Sequence, residues 1–253
     1  AAVPLLALGN PRLGVEHVTS WEAGYKGRWG SLFVELDGYY SIMNDFVTDV
    51  LPGVNPSYAP WTAPAEVAAS DRDAVANAVR AALAAAGQSL VAAALTRLPD
   101  GSTAMVLSVG NAGRATVRGA ELDVSYRPSP RWQFDANVAV FGFDLAASTF
   151  VPGDLVLPNT PARSASVSLL YRGPHGFDVT ASLHATSAFQ WAAGPFVGPV
   201  PSAETVNTSV SYALWPGFRL QATAADLFDQ RRYQNFGGAV IGRRVLAGLE
   251  AKF

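Results

Sequence analysis

Apolar and polar residues alternate along most of this chain. At its C-terminal end Val245, Ala247, Leu249, Ala251 and Phe253 share one parity, and Arg244, Gly248, Glu250 and Lys252 share the other. A period of two predicts a β-strand with one apolar and one polar face. The pattern recurs from the start. Residues 1–18, with Pro4, Gly9, Pro11 and Gly14, read as loop. Trp21, Ala23 and Tyr25 then alternate with Ser20, Glu22 and Lys26. After a turn at Gly27–Gly30, Leu32, Val34, Leu36, Tyr40 and Ile42 alternate with Glu35 and Asp37. Ala120, Leu122, Val124 and Tyr126 oppose Glu121, Asp123 and Ser125, and a turn at Arg127–Arg131 leads into Trp132, Phe134, Ala136, Val138 and Val140 against Gln133, Asp135 and Asn137. Beyond a loop with Pro152, Gly153, Pro158 and Pro161, a strand sets Ala165, Val167, Leu169 and Tyr171 against Ser164, Ser166 and Ser168. Its hairpin partner, after a turn at Arg172–Gly176, sets Phe177, Val179, Ala181, Leu183 and Ala185 against Asp178, Ser182, His184 and Thr186. A further pair turns at Trp215–Gly217, with Val206, Val210, Tyr212 and Leu214 before it and Phe218, Leu220, Ala222 and Ala224 after, opposed by Arg219, Gln221 and Thr223.

Residues 45–114 break the rhythm. Pro52, Gly53, Asn55, Pro56, Pro60 and Pro64 interrupt any regular element. An Ala-rich stretch at about 65–97 then places Val75, Val79 and Leu83 at helical spacing, with Ser70 and Asp73 as a candidate cap. Asp71, Arg72, Asp73 and Arg80 exclude a membrane-spanning helix there. Met105, Leu107 and Val109 suggest one short strand inside this long insertion.

Short turns and long loops alternate strictly, and aromatic residues crowd the short turns: Tyr25 and Trp29, Tyr126 and Trp132, Tyr171 and Phe177, Tyr212, Trp215 and Phe218, and Phe253. Amphipathic rings gathered at one end are expected where strands meet a membrane interface. The prediction is an all-β, antiparallel, up-and-down transmembrane barrel segment of about nine strands, apolar face to lipid and polar face to a wet lumen, with a helical insertion in one outer loop. Closed single-chain barrels use even strand numbers, so an odd count predicts a part of a larger barrel.

Composition fits. The 253 residues are 49% hydrophobic but only 15% charged, with net charge -2, and no apolar run reaches the length of a membrane helix. No basic patch argues for nucleic acid. The absence of cysteine excludes disulfides, Cys-ligated zinc and thiol chemistry. The opening Ala1-Ala-Val-Pro4 holds no initiator Met and no basic segment before an apolar one, so the chain reads as a processed product or a piece of a longer one.

Several stretches carry a family resemblance: Glu16–Gly27 (EHVTSWEAGYKG), Leu32–Phe46 (LFVELDGYYSIMNDF), Asn111–Glu121 (NAGRATVRGAE), Asn159-Thr-Pro161, Ala225–Asp229 (ADLFD) with Tyr233, and Gly237–Phe253. In their order and spacing the chain resembles the C-terminal barrel region of a TonB-dependent outer-membrane receptor. The resemblance implies a barrel of about 22 strands, an N-terminal plug inside it, and a box near the N-terminus that engages the inner-membrane energising complex. It implies uptake of a scarce, bulky nutrient, with ferric siderophores, haem, cobalamin and some sugars as candidates. The plug, the box and more than half of the strands are missing from this sequence, so the expected partners are those missing parts, outer-membrane lipid and a small-molecule ligand such as a metal chelate. No cofactor is expected. The alternatives are a self-contained porin or adhesin barrel, and an outer-membrane hydrolase.

The polar parity names a candidate lumen row: Glu22, Glu35, Asp37, Glu121, Asp123, Asp135, His184, Arg219, Arg244 and Glu250. Carboxylates two apart on one strand, as in Glu35/Asp37 and Glu121/Asp123, are what any wetted strand face produces, and they need no catalytic reading. His17, His175 and His184 lack metal-ligand spacing, no Gly-x-Ser-x-Gly elbow accompanies His184, and Gly237–Gly242 lacks the lysine of a phosphate loop. Catalysis and metal binding are therefore not expected. The ligand candidates are aromatic residues set in Gly/Pro-rich outer loops, Phe189, Trp191 and Phe196 with Tyr233 and Phe236. Exposed rings there call for a cover, either a ligand or a neighbouring loop.

Overall fold

The computed structural model describes residues 3–53, 55, 57–146, 157–193 and 196–252, without the side chains of Ser89, Leu90 and Phe196. Phe253, the predicted loop residues Pro56, Pro152 and Gly153, and Gly194 and Pro195 between the aromatic candidates lie outside that description. In chain order the elements begin with β1 (Leu5–Ala7), β2 (His17–Trp29), β3 (Leu32–Asn44) and β4 (Leu51–Pro52). Two helices follow, α1 (Arg72–Ala85) and α2 (Ser89–Ala94), then β5 (Leu95–Arg97) and β6 (Thr103–Ser108). Next come β7 (Ala115–Ser129), β8 (Trp132–Leu145), β9 (Arg163–Arg172) and β10 (Asp178–Thr186). The last are β11 (Phe189–Ala193), β12 (Phe196–Val200), β13 (Ala203–Trp215), β14 (Phe218–Ala225) and β15 (Arg244–Ala251).

Nine of these strands form one sheet in the order β15-β14-β13-β10-β9-β8-β7-β3-β2. Every neighbouring pair is antiparallel, so β2 and β15 are open edges that run in the same direction. Directly opposed residues share a face, and the register carries the alternation across the whole sheet. One row reads Lys26, Glu35, Asp123, Asn137, Ser166, His184 and Thr205; its neighbour reads Gly27, Val34, Val124, Ala136, Val167, Leu183 and Val206. The apolar face has no second layer over it. Leu36, Leu122, Val138, Val167, Leu183, Leu220 and Leu249 are all exposed there. A contiguous apolar surface of that extent is foreign to a monomer in water and natural to a barrel wall in lipid. No described helix is long and apolar enough to cross a membrane, which leaves strands as the crossing elements.

The predicted turns shorten. β2 runs through Trp29, so the first hairpin turns on Gly30 and Ser31, with Gly30 at φ 59, where a glycine is at ease. β7 continues to Ser129, leaving a two-residue turn before Trp132. The aromatic grouping at the short turns has a counterpart. Trp21 and Tyr40, on the apolar parity, meet at a tilt with ring centroids 6.0 Å apart toward the long-loop end of β2 and β3. Trp21 and Trp29 are eight residues apart, or roughly 20 Å along the membrane normal for a strand tilted about 40°, close to the height of an apolar band. A smaller aromatic pair therefore also marks the long-loop end of the apolar face, on β2 and β3.

Residues 1–18 are not all loop. β1 pairs in parallel with β6, which also receives β4 and β5, and β2 begins at His17. Sequence periodicity has no way to report a three-residue strand whose partner lies about a hundred residues away. The single helix expected at about 65–97 is two short helices and a strand. Gly87, at φ 75, stops α1: the amides of Gln88 and Gly87 donate to the carbonyls of Leu83 and Ala84 at 2.8 and 3.0 Å, a Schellman closure. Ser70 does not cap α1. Asp71 holds the cap position without a side-chain bond to the helix, and Ser70 Oγ contacts Asp71 Oδ1 instead.

Most of the fully buried residues belong to this insertion. Leu51, Ala63, Ala76, Ala94, Ala104 and Val106 form its interior. Leu51 packs against Phe46, Phe143 and Leu145. Phe143 and Leu145 sit on the polar parity of β8, opposite Val117 and Ala115. The polar face thus turns apolar at its long-loop end, and the insertion leans over that face. Asn55 bonds Gly9 O and Ser108 Oγ, Ser108 Oγ bonds Leu8 O, and Asn111 bonds Gly14 and Asp45, tying residues 8–16 to the insertion.

Candidate ligand site and polar wall

The register places all ten residues of the candidate lumen row on one face of the sheet. Glu22, Glu35, Asp37, Glu121, Asp123 and Asp135 occupy β2, β3, β7 and β8; His184, Arg219, Arg244 and Glu250 occupy β10, β14 and β15. The acidic members crowd together. Asp37 stands directly opposite Glu121, and Glu35 opposite Asp123. Like charges in directly opposed positions destabilise a sheet. Lys26 pairs with Glu35, Asn137 Nδ2 donates to Asp123 at 2.8 Å, and Gln133 Nε2 donates to Asp135 at 2.8 Å. Lys26, with Arg28 and Arg127 nearer the short turns, shares this half of the wall with six carboxylates, which leaves it net negative. On the other half Arg219 meets Asp178 at 3.2 Å, opposite Glu250. Glycines admit the longer side chains. A Cβ on Gly24 would meet Asp37, and one on Gly119 would meet Tyr39 and the carbonyl of Val140.

The loop between β10 and β13 is not irregular. β11 and β12 form a separate hairpin in which Trp191 opposes Gly198 and Phe189 opposes Val200. Phe189 and Trp191 lie on one face of it, with ring centroids 6.5 Å apart. The ring of Phe236 lies over Gly198 on that same face, where any Cβ would collide with it, and stands 6.4 Å from Tyr233. Tyr233 Oη donates to Pro199 O at 3.0 Å. Asn159, at φ 52, clamps the hairpin from the preceding loop: its Nδ2 donates to Ala192 O at 2.9 Å and its Oδ1 accepts from Ala192 N at 2.8 Å. Four of the five aromatic candidates are therefore gathered in one place, by packing against neighbouring loops. The side chain of the fifth, Phe196, lies outside the description.

Between this hairpin and the polar wall lies a cavity of about 270 Å³. Phe189 and Tyr233 line one side, His184 and Thr205 at the top of the wall line another, and Asn159 and Arg232 complete it. Arg232 Nη1 bonds Thr205 Oγ1. A larger hollow, about 740 Å³, follows the wall past Thr180, Asn207, Thr223 and Arg244. It is a trough of hydroxyls and short aliphatic groups with a single cation. The smaller cavity joins aromatic faces, a guanidinium and an imidazole, which is the better provision for holding a ligand in place. Arg232 carries no local signature in the sequence. Asn159 stands within a stretch that carries the family resemblance, but nothing in the string shows that it clamps a hairpin about thirty residues ahead.

The chain belongs to the TonB dependent receptor-like, beta-barrel family, whose model matches residues 2–227. Its fold is that of solved barrels in this family. The copper transporter OprC superposes with a TM-score of 0.61 at 15% identity, over 96% of this chain and 32% of that one. The ferric-catecholate import receptor Fiu from E. coli K12 gives 0.60 at 14% identity, over 94% and 28%. The pyoverdine receptor FpvA from Pseudomonas aeruginosa PAO1 gives 0.60 at 14% identity, over 95% and 30%. The chain spans about a third of the length of these structures. None of the curated proteins matches it in sequence. The protein is an outer-membrane barrel segment, and its family and structural relatives are receptors and transporters.

Proposed function

We propose that this chain is the C-terminal part of the barrel of a receptor for TonB-dependent uptake of a scarce nutrient, and that it does no catalysis of its own. Residues 45–114 form its extracellular insertion, the polar face lines the lumen, and the short turns face the periplasm. The negative half of the wall supports a plug as partner. Lys26 already answers Glu35, but Asp37 against Glu121, and Asp123 beside them, call for further cations, which a basic plug surface would supply.

The ligand reading rests on the cavity that Phe189, Tyr233, His184 and Arg232 line at the lumen's outer mouth. Aromatic walls with one fixed guanidinium suit an anionic metal chelate, of which a ferric siderophore is the leading case. The relatives named for ferric-catecholate import and for pyoverdine support that class. The test is uptake of radio-iron as a ferric catecholate and as a ferric hydroxamate by cells carrying the full-length receptor. Arg232→Ala with Tyr233→Ala should weaken binding of the accepted chelate about tenfold or more, the size of one lost charge-assisted bond and a ring contact. Unchanged uptake of whichever chelate the wild type accepts would remove the site.

A further inference from the structure

The short-turn end of the polar face carries a second charge pattern that the uptake function does not use. Arg28, Arg127, Arg131 and Arg172 all lie at this end, on neighbouring hairpins, and all are exposed. None has an ion-pair partner among the described residues. Arg28 and Arg127 line one cavity of about 360 Å³, together with Ser31, Phe33 and Ser125. Arg28, Phe33 and Ser125 form one register row, and Arg127 N bonds Ser31 O at 2.9 Å in the next. Arg131 and Arg172 meet at the adjoining turn, where Arg172 N donates to Arg131 O at 2.8 Å. Carboxylates on the neighbouring strands have partners of their own. Glu35 holds Lys26, Asp135 holds Gln133, and Asp178, opposite Arg172, holds Arg219.

Parity decides what these arginines meet. Arg28, Arg127 and Arg172 share the polar parity, whereas the girdle rings of Tyr25, Trp29, Tyr126, Trp132 and Tyr171 occupy the other. Lipid headgroups therefore lie on the opposite side of the wall. Arg28, Arg127 and Arg172 stand on β2, β7 and β9, each two strands from the next in the sheet, or roughly 10 Å, a spacing that fits an extended chain with repeated carboxylates better than one small anion.

We infer that Arg28, Arg127, Arg131 and Arg172 form a docking strip on the periplasmic rim for an acidic segment of a periplasmic polypeptide, with Arg28 and Arg127 as its pocket. This rests on the orientation given above, short turns toward the periplasm. The guanidinia bind carboxylates by paired N–H donors, and Ser31 and Ser125 add hydroxyls.

The test uses the full-length receptor in detergent micelles, which leave both mouths open, and a fluorescent octapeptide of alternating Glu and Ser, with its Gln counterpart as control. The Glu peptide should bind, weaken as salt is raised, and lose about tenfold or more in affinity to Arg28→Gln/Arg127→Gln. Arg28→Lys/Arg127→Lys should recover part of that loss. Heat-modified gel mobility confirms that each variant is folded. The chelate assay separates the two proposals: the Arg28/Arg127 variant should bind chelate normally, and Arg232→Ala should bind the Glu peptide normally. Equal binding of the Glu and Gln peptides, or no loss in the Gln variant, overturns the strip. Displacement of the peptide by inorganic phosphate at matching charge concentration also overturns it, in favour of a small-oxyanion pocket.

Discussion

Val138 and its neighbour Asn137 should respond oppositely to the same substitution. Val138 lies on the apolar face between Leu122 and Ala165 and is 47% exposed. It stands six residues above the girdle residue Trp132. At a rise of about 3.4 Å and a tilt near 40°, that places it roughly 16 Å into an apolar band about 25 Å tall, a few Å from the midplane. An arginine there should cost about 2–4 kcal/mol, or roughly 30- to 1000-fold in the folding equilibrium. Asn137 lies on the polar face beside Asp123 and near Glu35. Arginine at 137 exchanges a hydrogen bond for an ion pair and should stay within about 1 kcal/mol of wild type. Leu249 is a shallower control. Its partner Leu220 is only two residues from Phe218 at the girdle, so Leu249→Arg should cost about 1 kcal/mol. The assay is guanidinium unfolding of the full-length receptor in phosphatidylcholine vesicles, followed by tryptophan fluorescence. Equal losses at 137 and 138 would put both faces in the same solvent and refute the assignment of lipid to one and water to the other.

Leu51→Ala should cost about 2–5 kcal/mol, because Leu51 is 1% exposed between Phe46, Phe143 and Leu145; hydrogen exchange should rise across residues 45–114 and leave β9 and β10 protected. Gly119→Ala should cost about 1–3 kcal/mol in the same unfolding assay, since its Cβ would press on the carbonyl of Val140 as well as on Tyr39. Asn159→Ala strands the amide and carbonyl of the buried Ala192, and exchange should speed up through Phe189–Val200 ahead of the sheet. In the insertion, the hydroxyl and amide of Ser102 donate to Asp100 and hold its carboxyl below the usual carboxylate range. A depressed folded value means that this turn's stabilisation is present above the ordinary carboxylate pKa and lost as pH falls through the lowered one. Carboxyl NMR titration of wild type and Ser102→Ala should show the Asp100 midpoint rise in the variant.

The strands were legible because a half-buried strand writes its environment into every second residue. That code tolerates exceptions: Phe33, Leu170 and Leu246 sit on the polar parity, yet the register around them is unbroken. The insertion was legible only in outline. Its helical spacing was visible, but its end depended on the left-handed conformation of Gly87, and β1 depended on a partner far along the chain. The aromatic pair at the long-loop end has no mark in the sequence, since Trp21 and Tyr40 are far apart along the chain and meet only through the β2–β3 register. In the candidate site, ring content pointed to Phe189, Trp191, Tyr233 and Phe236. Gly198, which makes room for Phe236, and Arg232, which supplies the charge, carry no local signature, because each matters only through a contact made across loops.

The two free margins of the nine-stranded sheet, β2 and β15, both descend from the long loops to the short turns. Two copies inserted the same way up could therefore meet margin to margin only as parallel neighbours, against the antiparallel habit of barrels. An antiparallel seam demands an odd complement of strands between those margins, which restores an even ring. Within one closed ring, strand parity alone thus fixes the direction in which each seam must be met, before any side chain is consulted.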